Sequence, residues 1–280
     1  MKILKNLARS MICVAAGLLL YCGSFYIKSY EQNKTAREKN QYVEQLAYAG
    51  SYAGNDKAVK NPDTENNTGQ SRKKSDAEKA KNNIKAEIRE SFGISWEKLR
   101  KLNPQTVGWI RISGADISYP VVQGEDDEFY LKHDFERKED LFGSIFLGHH
   151  NDAAFTDSHS FIYGHNMEGH MMFANLNQYE QPEFLEKCPQ FEIVTPEKKL
   201  VYDIFSVEQA GEGGAAFEYG YDLDSPSYQR QLAALKRNSM YETGIWPDAH
   251  KPMVTLITCN SRLDEEVRMA VHGICSLEIK

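Results

Sequence analysis

The strongest constraint on the fold is a series of short β-rich segments that begins after Asn103 and Pro104. Each segment is rich in β-branched and aromatic residues and is bounded by residues typical of turns. Helical patterns between the segments occur around Met171–Tyr179 and Ser225–Lys236. Eight short strands with so few helices predict a mainly β domain that forms a closed or nearly closed barrel. The predicted strands are Val107–Ile112, Ile117–Val122, Gly143–Leu147, Ser160–Tyr163, Phe191–Thr195, Leu200–Val207, Met253–Thr258 and Val267–Cys275.

The N-terminal residues have a different pattern, in which Lys2, Lys5 and Arg9 precede an apolar run over Met11–Ile27. This run is just long enough to cross a hydrocarbon core of roughly 30 Å. The positive cluster places the N-terminus in the cytoplasm and the rest of the chain outside. We therefore predict a cytoplasmic N-terminus and a single-pass anchor in residues 1–28. A cleaved signal peptide and a lipoprotein signal are alternatives, and both would also export the domain.

The segment that follows the apolar run is polar. Residues 29–75 are rich in Asn, Lys, Glu, Gln, Ser and Gly, with few large aliphatic residues. Such a segment buries too little apolar area to offset the entropy lost on ordering. We predict a flexible linker over 29–75 and one compact domain over 76–280. Ile84 and Ile88 have the i, i+4 spacing of a helical face and predict a helix over Asp76–Phe92.

Charge and cysteine content exclude several classes of protein. The net charge of −7 argues against nucleic acid as a partner, because nucleic-acid-binding surfaces are basic. Two of the five cysteines lie in the apolar run, and the other three, Cys188, Cys259 and Cys275, form no CxxC pair. This spacing predicts neither a disulfide framework nor a zinc site. An unpaired cysteine in an exported domain is consistent with a reactive thiol.

Cys259 is the candidate nucleophile, because it lies where the apolar strand Met253–Thr258 runs into a polar loop. If this strand pairs with Val267–Cys275 as an antiparallel hairpin, Arg268 comes close to Cys259 across the ladder. An arginine beside a cysteine favours the thiolate and supplies donors to a developing oxyanion. The alternatives are a small core cysteine and a solvated arginine at a strand end, and Arg262 in the loop is a second arginine candidate.

A cysteine nucleophile needs a general base, which a histidine from elsewhere in the fold would supply. Among eight histidines, His165 is the best candidate because it follows a short strand that ends in Tyr163 and Gly164. That position places a side chain at a strand end. His272 follows Arg268 by four residues on the same strand, about 13 Å further along, and we predict a structural role for it.

The histidines between residues 149 and 170 raise the alternative of a surface metal or haem site. His165 and His170 do not share a helical face, and the sequence contains no HExxH motif. His149 and His150 are adjacent, so in a strand they would point to opposite sides. These spacings make a metal site the weaker hypothesis.

Several segments, taken in order, resemble those of class B sortases, and the similarity covers roughly residues 92–280. Several motifs in one order are more specific than any one of them alone. The segments are Asn103–Ile110, Tyr119–Gln123, Tyr130–Phe135, Gly143–Leu147, Ile162–Met167 and Thr255–Cys259. At Gly148–Asn151 the sequence departs from the Asp-Tyr-Arg-like stretch of many relatives.

The resemblance implies a closed eight-stranded β-barrel with an N-terminal helix and a helical insertion before the cysteine strand. It assigns the family's nucleophile to Cys259, its acid/base to His165 and its oxyanion-stabilising arginine to Arg268. The implied reaction is a transpeptidation through a thioester, and it requires no metal and no organic cofactor. The implied turnover is slow if the thiol and imidazole keep near-normal pKa values.

The resemblance also implies partners and a location. The substrates would be surface proteins that carry a C-terminal sorting signal, and the acceptor would be an amine of peptidoglycan or of a pilin. The N-terminal helix would attach the enzyme to the membrane, with the catalytic domain on the outside of a Gram-positive cell. The competing hypotheses are a secreted cysteine endopeptidase and a non-enzymatic surface protein that binds metal or haem.

Overall fold

The computed structural model describes residues 2–48, 92–167, 169–211, 214–259 and 267–280. In the first helix the side chains are described from residue 18 onward, and for Cys259 only the backbone is described. The chain divides into two compact units, Met1–Tyr42 and Val43–Lys280. The predicted boundary at residue 76 and the predicted helix over 76–91 lie outside the described residues.

The first helix, α1, spans Lys2–Tyr48 and provides nearly all that is described of the first unit. The sequence predicted a membrane span over Met11–Ile27. Over the residues for which coordinates are described, however, no helix combines the length and the apolar character needed to cross a membrane.

The predicted flexible linker is wrong for residues 29–48, because α1 continues to Tyr48. Two effects explain the difference. Lys, Glu, Gln and Ala dominate this stretch and are good helix formers as well as polar. In addition, the last residues of α1 belong to the second unit and make specific contacts there: Ser118 donates a hydrogen bond to Glu44 at 2.8 Å, and Arg111 donates one to Tyr48.

The second unit is built on a closed barrel whose strands follow the order β1-β2-β3-β4-β9-β10-β8-β7. The prediction of a mainly β, eight-stranded closed barrel is therefore confirmed. A separate two-stranded sheet consists of β5 (Asn166–Met167) and β6 (Met171–Met172). The barrel strands are β1 (Thr106–Ile112), β2 (Ile117–Val122), β3 (Ile145–Leu147), β4 (His159–Tyr163), β7 (Gln190–Val194), β8 (Lys199–Gly211), β9 (Met253–Cys259) and β10 (Val267–Ile279).

In the described part of the second unit, helices lie between strands or before the first strand. The α-helices described there, after the end of α1, are α2 (Trp96–Leu102), α3 (Pro182–Lys187) and α4 (Pro226–Asn238). Helix α4 is the predicted insertion before the cysteine strand, and the Ser225 side chain caps its first turn by accepting from the Tyr228 amide at 3.1 Å. The helix predicted around Met171–Tyr179 is instead a short strand followed by a 3₁₀ helix over Ala174–Glu180.

Buried apolar clusters hold the second unit together. One joins the end of α1 and α2 to the barrel and is centred on Trp109, which is fully buried. Burial of one such aromatic side chain stabilises the fold by roughly 2–3 kcal/mol. Another cluster packs Tyr228 and Leu232 of α4 against Phe205 of β8 and Ala270 of β10. Both clusters pack on the strands that carry the candidate active-site residues or on their neighbours.

Candidate active site

Three adjacent strands bring the predicted site residues to the same end of the barrel. Strands β9 and β10 pair antiparallel with Cys259 opposite Arg268, which confirms the predicted hairpin. Strands β4 and β9 pair parallel, and Tyr163 lies opposite Ile257 at the end of their ladder. His165 and Cys259 each follow this last pair by two residues. The backbone positions of His165, Cys259 and Arg268 are therefore level across three neighbouring strands.

The backbone around His165 is fixed on both sides. The Gly164 amide donates to the Ile257 carbonyl at 3.1 Å, which continues the contact with β9 beyond the formal end of β4. The His165 carbonyl accepts from the Phe173 amide at 3.0 Å. These two hydrogen bonds hold His165 beside the end of the cysteine strand although it lies outside a regular strand.

The half-buried imidazole of His165 is oriented by a backbone carbonyl. Its Nε2 lies 2.7 Å from the carbonyl oxygen of Leu131, the last residue of a short 3₁₀ helix over Phe129–Leu131. A carbonyl oxygen only accepts, so Nε2 carries a hydrogen and donates. In the neutral imidazole the lone pair is then on Nδ1. Sequence analysis did not identify Leu131, because a backbone carbonyl leaves no signal in the side-chain pattern.

Tyr163 is a second neighbour that sequence analysis did not single out. Its ring packs on Phe161 with centroids 6.3 Å apart, on the same side of β4. Burial, and then the negative charge of Asp127, raise the pKa of Tyr163 to about 12, while the positive charge of Arg268 acts in the opposite direction. The phenol is thus a neutral hydrogen-bond donor near the half-buried Arg268.

The segment that departs from the family pattern forms one wall beside Tyr163. The His149 amide donates to Asp127 Oδ1 at 2.8 Å, and His149 Nδ1 lies 2.9 Å from Asp127 Oδ2. The prediction that His149 and His150 point to opposite sides is wrong: they lie in a turn, and their ring centroids are 3.6 Å apart. His150 in turn stacks on Tyr219 with centroids 5.7 Å apart.

An open groove of about 410 Å³ lies beside Tyr219. His150, Tyr219 and Tyr221 provide aromatic surface, and Asp157 and Asp222 provide negative charge. Tyr219 is 59% exposed, so its ring contacts solvent as well as lining the groove. The aromatic and acidic lining of the groove is suited to a cationic or polar group.

The structure gives no support to the metal-site alternative. Across the residues with described coordinates, no group of three or more His, Cys, Asp or Glu side chains could hold a metal ion. The histidines that raised this hypothesis have other contacts: His159 is buried in the sheet, and His170 Nδ1 lies 3.1 Å from Asn175 Oδ1.

Known proteins with similar sequences and structures point to one family. The family model described as the sortase domain matches residues 110–275, more than half of the chain. Sortase B of Listeria monocytogenes is 30% identical over 195 residues, which cover 69% of this chain and 77% of the relative. The crystal structure of Clostridium perfringens sortase B has a TM-score of 0.60 and 30% identity, covering 66% of this chain and 100% of that one. A Staphylococcus aureus sortase B–substrate complex has a TM-score of 0.61 and 27% identity, covering 73% and 98%.

The region matched by the family model contains all three predicted site residues. The sequence relatives and the similar structures carry the same family name, and the structures share the barrel described above. The chain therefore belongs to the class B sortases, whose members are cysteine transpeptidases.

Proposed function

We propose that Cys259, His165 and Arg268 are the catalytic residues of this transpeptidase and that its substrates are surface proteins with a C-terminal sorting signal. The observation that supports the assignment is the level position of these residues on three adjacent strands. A nucleophile, a base and an oxyanion donor must converge on one carbonyl group. Three neighbouring strand ends can supply that convergence without a flexible loop for any of the backbone positions.

In the first step, the Cys259 thiolate attacks a backbone carbonyl carbon of the sorting signal. Arg268 stabilises the negative charge that develops on the carbonyl oxygen, since its guanidinium carries several fixed donors. The C–N bond then breaks, and the imidazolium of His165 gives its proton to the leaving amine. Because His165 Nε2 donates its hydrogen bond to the Leu131 carbonyl, Nδ1 of His165 is the atom that gives the proton. The product is a thioester on Cys259.

In the second step, an amine attacks the thioester and replaces the thiol. His165 takes the proton of the attacking amine, and the new amide bond releases the cysteine. We propose an amine of peptidoglycan or of a pilin as the acceptor. The acidic lining of the groove beside Tyr219 supports an acceptor of this chemistry, because Asp157 and Asp222 attract an ammonium group before it loses its proton.

We also propose that the catalytic domain works on the outer surface of the cell and that residues 1–28 attach it to the membrane. Support comes from the order of the N-terminal residues, in which basic side chains precede an apolar run. The test is cell fractionation with protease treatment of intact cells. The proposal requires the domain to sediment with membranes and to be cleaved from outside, and a protected domain would contradict it.

The catalytic assignment is tested with the purified full chain and a library of fluorogenic sorting-signal peptides. Wild type should cleave one class of peptide and should give the amine adduct when a glycine peptide is added. Cys259→Ala and His165→Gln should each lower turnover by roughly 10³-fold or more. Arg268→Lys should lower it by roughly 10²-fold, because lysine lacks the planar arrangement of donors.

Cys188→Ala is the matched control, because Cys188 is a buried free cysteine that lies outside the three strands β4, β9 and β10. It should retain wild-type turnover. Cleavage that persists in Cys259→Ala would contradict the assignment of the nucleophile. Cleavage by wild type that never yields an amine adduct would instead favour a cysteine endopeptidase.

A further inference from the structure

A chain of buried polar side chains crosses four strands of the barrel. His159 Nδ1 on β4 lies 2.8 Å from the Glu218 carbonyl, and His159 Nε2 lies 2.7 Å from Thr255 Oγ1 on β9. Thr255 Oγ1 lies 2.8 Å from His272 Nδ1 on β10, and His272 Nε2 lies 3.1 Å from Glu208 Oε1 on β8. All four side chains are buried. Four polar groups are thus removed from water and depend on one another for hydrogen bonds.

The backbone carbonyl of Glu218 fixes the direction of the first three hydrogen bonds in this series of buried side chains. A carbonyl only accepts, so His159 Nδ1 donates to it. Burial, and then the charge of His272, lower the pKa of His159 to about 3, so this imidazole is neutral and its Nε2 accepts. The Thr255 hydroxyl therefore donates to His159 and accepts from His272 Nδ1. The last bond is complete only when a proton lies between His272 Nε2 and Glu208 Oε1.

The polar chain lies directly below the candidate active site. Thr255 precedes Cys259 on β9 by four residues, and His272 follows Arg268 on the antiparallel strand β10 by four residues. Thr255 and His272 are opposite each other in the ladder. Phe161 of β4 pairs with Thr255, four residues before His165. The polar chain therefore joins the strands that carry the three candidate catalytic residues.

The other end of the polar chain holds the segment that carries Tyr219. His159 holds the Glu218 carbonyl, and the neighbouring Ser158 Oγ donates to the Tyr221 carbonyl at 2.5 Å. Tyr219 lies between these two attachment points, and its ring packs edge-on against Phe161 with centroids 6.5 Å apart. The ring also stacks on His150, and it is more than half exposed.

We propose that His159, Thr255, His272 and Glu208 act together as positioning residues that hold the Tyr219 segment as a wall of the substrate groove. This inference rests on the proposed function, because it takes the Tyr163 side of the site as the place where substrate binds. The side chains do not touch the reacting atoms. They act through Glu218, whose carbonyl oxygen is held by the hydrogen bond from His159 Nδ1. This bond requires the His159 tautomer that carries its hydrogen on Nδ1. Loss of one hydrogen bond in the polar chain should loosen the wall and weaken substrate binding.

The test is the substitution Thr255→Val in the full chain, which keeps the shape of the side chain and removes its hydroxyl. Hydrogen–deuterium exchange should become at least about fivefold faster at the amides of residues 215–223. The KM for the sorting-signal peptide should rise several-fold while kcat stays close to that of wild type. Thr255→Ser keeps the hydroxyl and should restore both properties.

Thr258→Val is the matched control on the same strand. Thr258 is also buried, and its Oγ1 has no hydrogen-bond partner within the described part of the chain. This variant should leave the exchange of residues 215–223 unchanged. If Thr255→Val does not fold, Glu208→Leu tests the opposite end of the polar chain and should accelerate the same amides.

Three results would overturn the proposal: unchanged exchange in folded Thr255→Val, equal acceleration in Thr258→Val, or failure of Thr255→Ser to restore slow exchange. The exchange measurement needs no substrate. Absence of peptide turnover in wild type would therefore refute the proposed function while the positioning role is still decided by the exchange data.

Discussion

Substitution of Gly164 by alanine tests whether the placement of His165 depends on close packing at the end of β4. A Cβ atom at this position would lie 2.4 Å from Cδ1 of Ile145 and 2.9 Å from two ring carbons of Phe173. The ring is held in a buried position and cannot rotate away. The backbone must therefore move, and the Gly164 amide that donates to Ile257 moves with it.

The cost can be worked out from these contacts. Forcing an extra methyl group into a packed core destabilises a protein by about 1–3 kcal/mol. For a domain of this size each kcal/mol lowers the melting temperature by about 2–4 °C, so the expected loss is roughly 2–12 °C. A displacement of His165 by about 1 Å should also lower kcat by roughly 10²-fold, because proton transfer depends on near-attack geometry.

Two other glycines provide the controls. A Cβ at Gly273 would lie 2.4 Å from Phe191, so Gly273→Ala should cost similar stability without moving His165. A Cβ at Gly211 meets no atom within 4 Å, so Gly211→Ala should change little. The assays are thermal unfolding followed by circular dichroism, and peptide turnover well below the melting temperature. Equal loss of turnover in Gly164→Ala and Gly273→Ala, or wild-type behaviour of Gly164→Ala, would refute the reasoning.

Three further substitutions test the core, the buried histidine and the phenol beside the site. Asn103→Ala removes donors to Tyr130 Oη at 2.9 Å and to the Phe135 carbonyl at 2.8 Å, so urea unfolding should show a loss of about 2–4 kcal/mol; a loss below 1 kcal/mol would contradict this. The pKa of His159 falls from 6.5 to about 3 on folding, so between pH 6.5 and about pH 3 the imidazole is protonated in the unfolded chain but not in the folded one. The free energy of unfolding should therefore fall by about 1.4 kcal/mol per pH unit as the solution is acidified through this range. His159→Gln should flatten that slope in urea titrations at about pH 7 and about pH 5, and an unchanged slope would show that other groups cause it. The pKa of Tyr163 is about 12, so this phenol stays protonated below about pH 10 and Tyr163→Phe should not shift the alkaline limb of the pH–rate profile in that range. A shifted limb would show that the Tyr163 phenol titrates below about pH 10.

The strands of the barrel could be predicted from the sequence because each one is a β-branched or aromatic run between turn residues. For β2 the predicted and observed bounds, Ile117–Val122, are identical. The hairpin that places Cys259 opposite Arg268 was also predictable, since only seven residues separate the two strands in the sequence. Local patterns thus specify the elements and the pairs that are close in sequence.

Features that depend on distant parts of the chain could not be predicted in this way. The parallel pairing of β4 with β9 brings His165 level with Cys259, but residues 164–252 lie between the two strands. The Leu131 carbonyl that orients His165 has no signature among side chains. For residues 29–48, the polar composition fits both a linker and a helix, and burial of Val43 and Ala47 in the second unit favours the helix.

The parallel ladder between β4 and β9 also affects when the proposed catalytic residues meet during folding. The hairpin of β9 and β10 closes a short loop, and its entropy cost is small. Pairing of β4 with β9 must close the intervening 164–252 segment and is a slow, non-local step. We therefore expect a partly folded chain to bring Cys259 and Arg268 together before His165 joins them. On the proposed catalytic assignment, acyl transfer requires the closed barrel, so its onset should report that folding is complete.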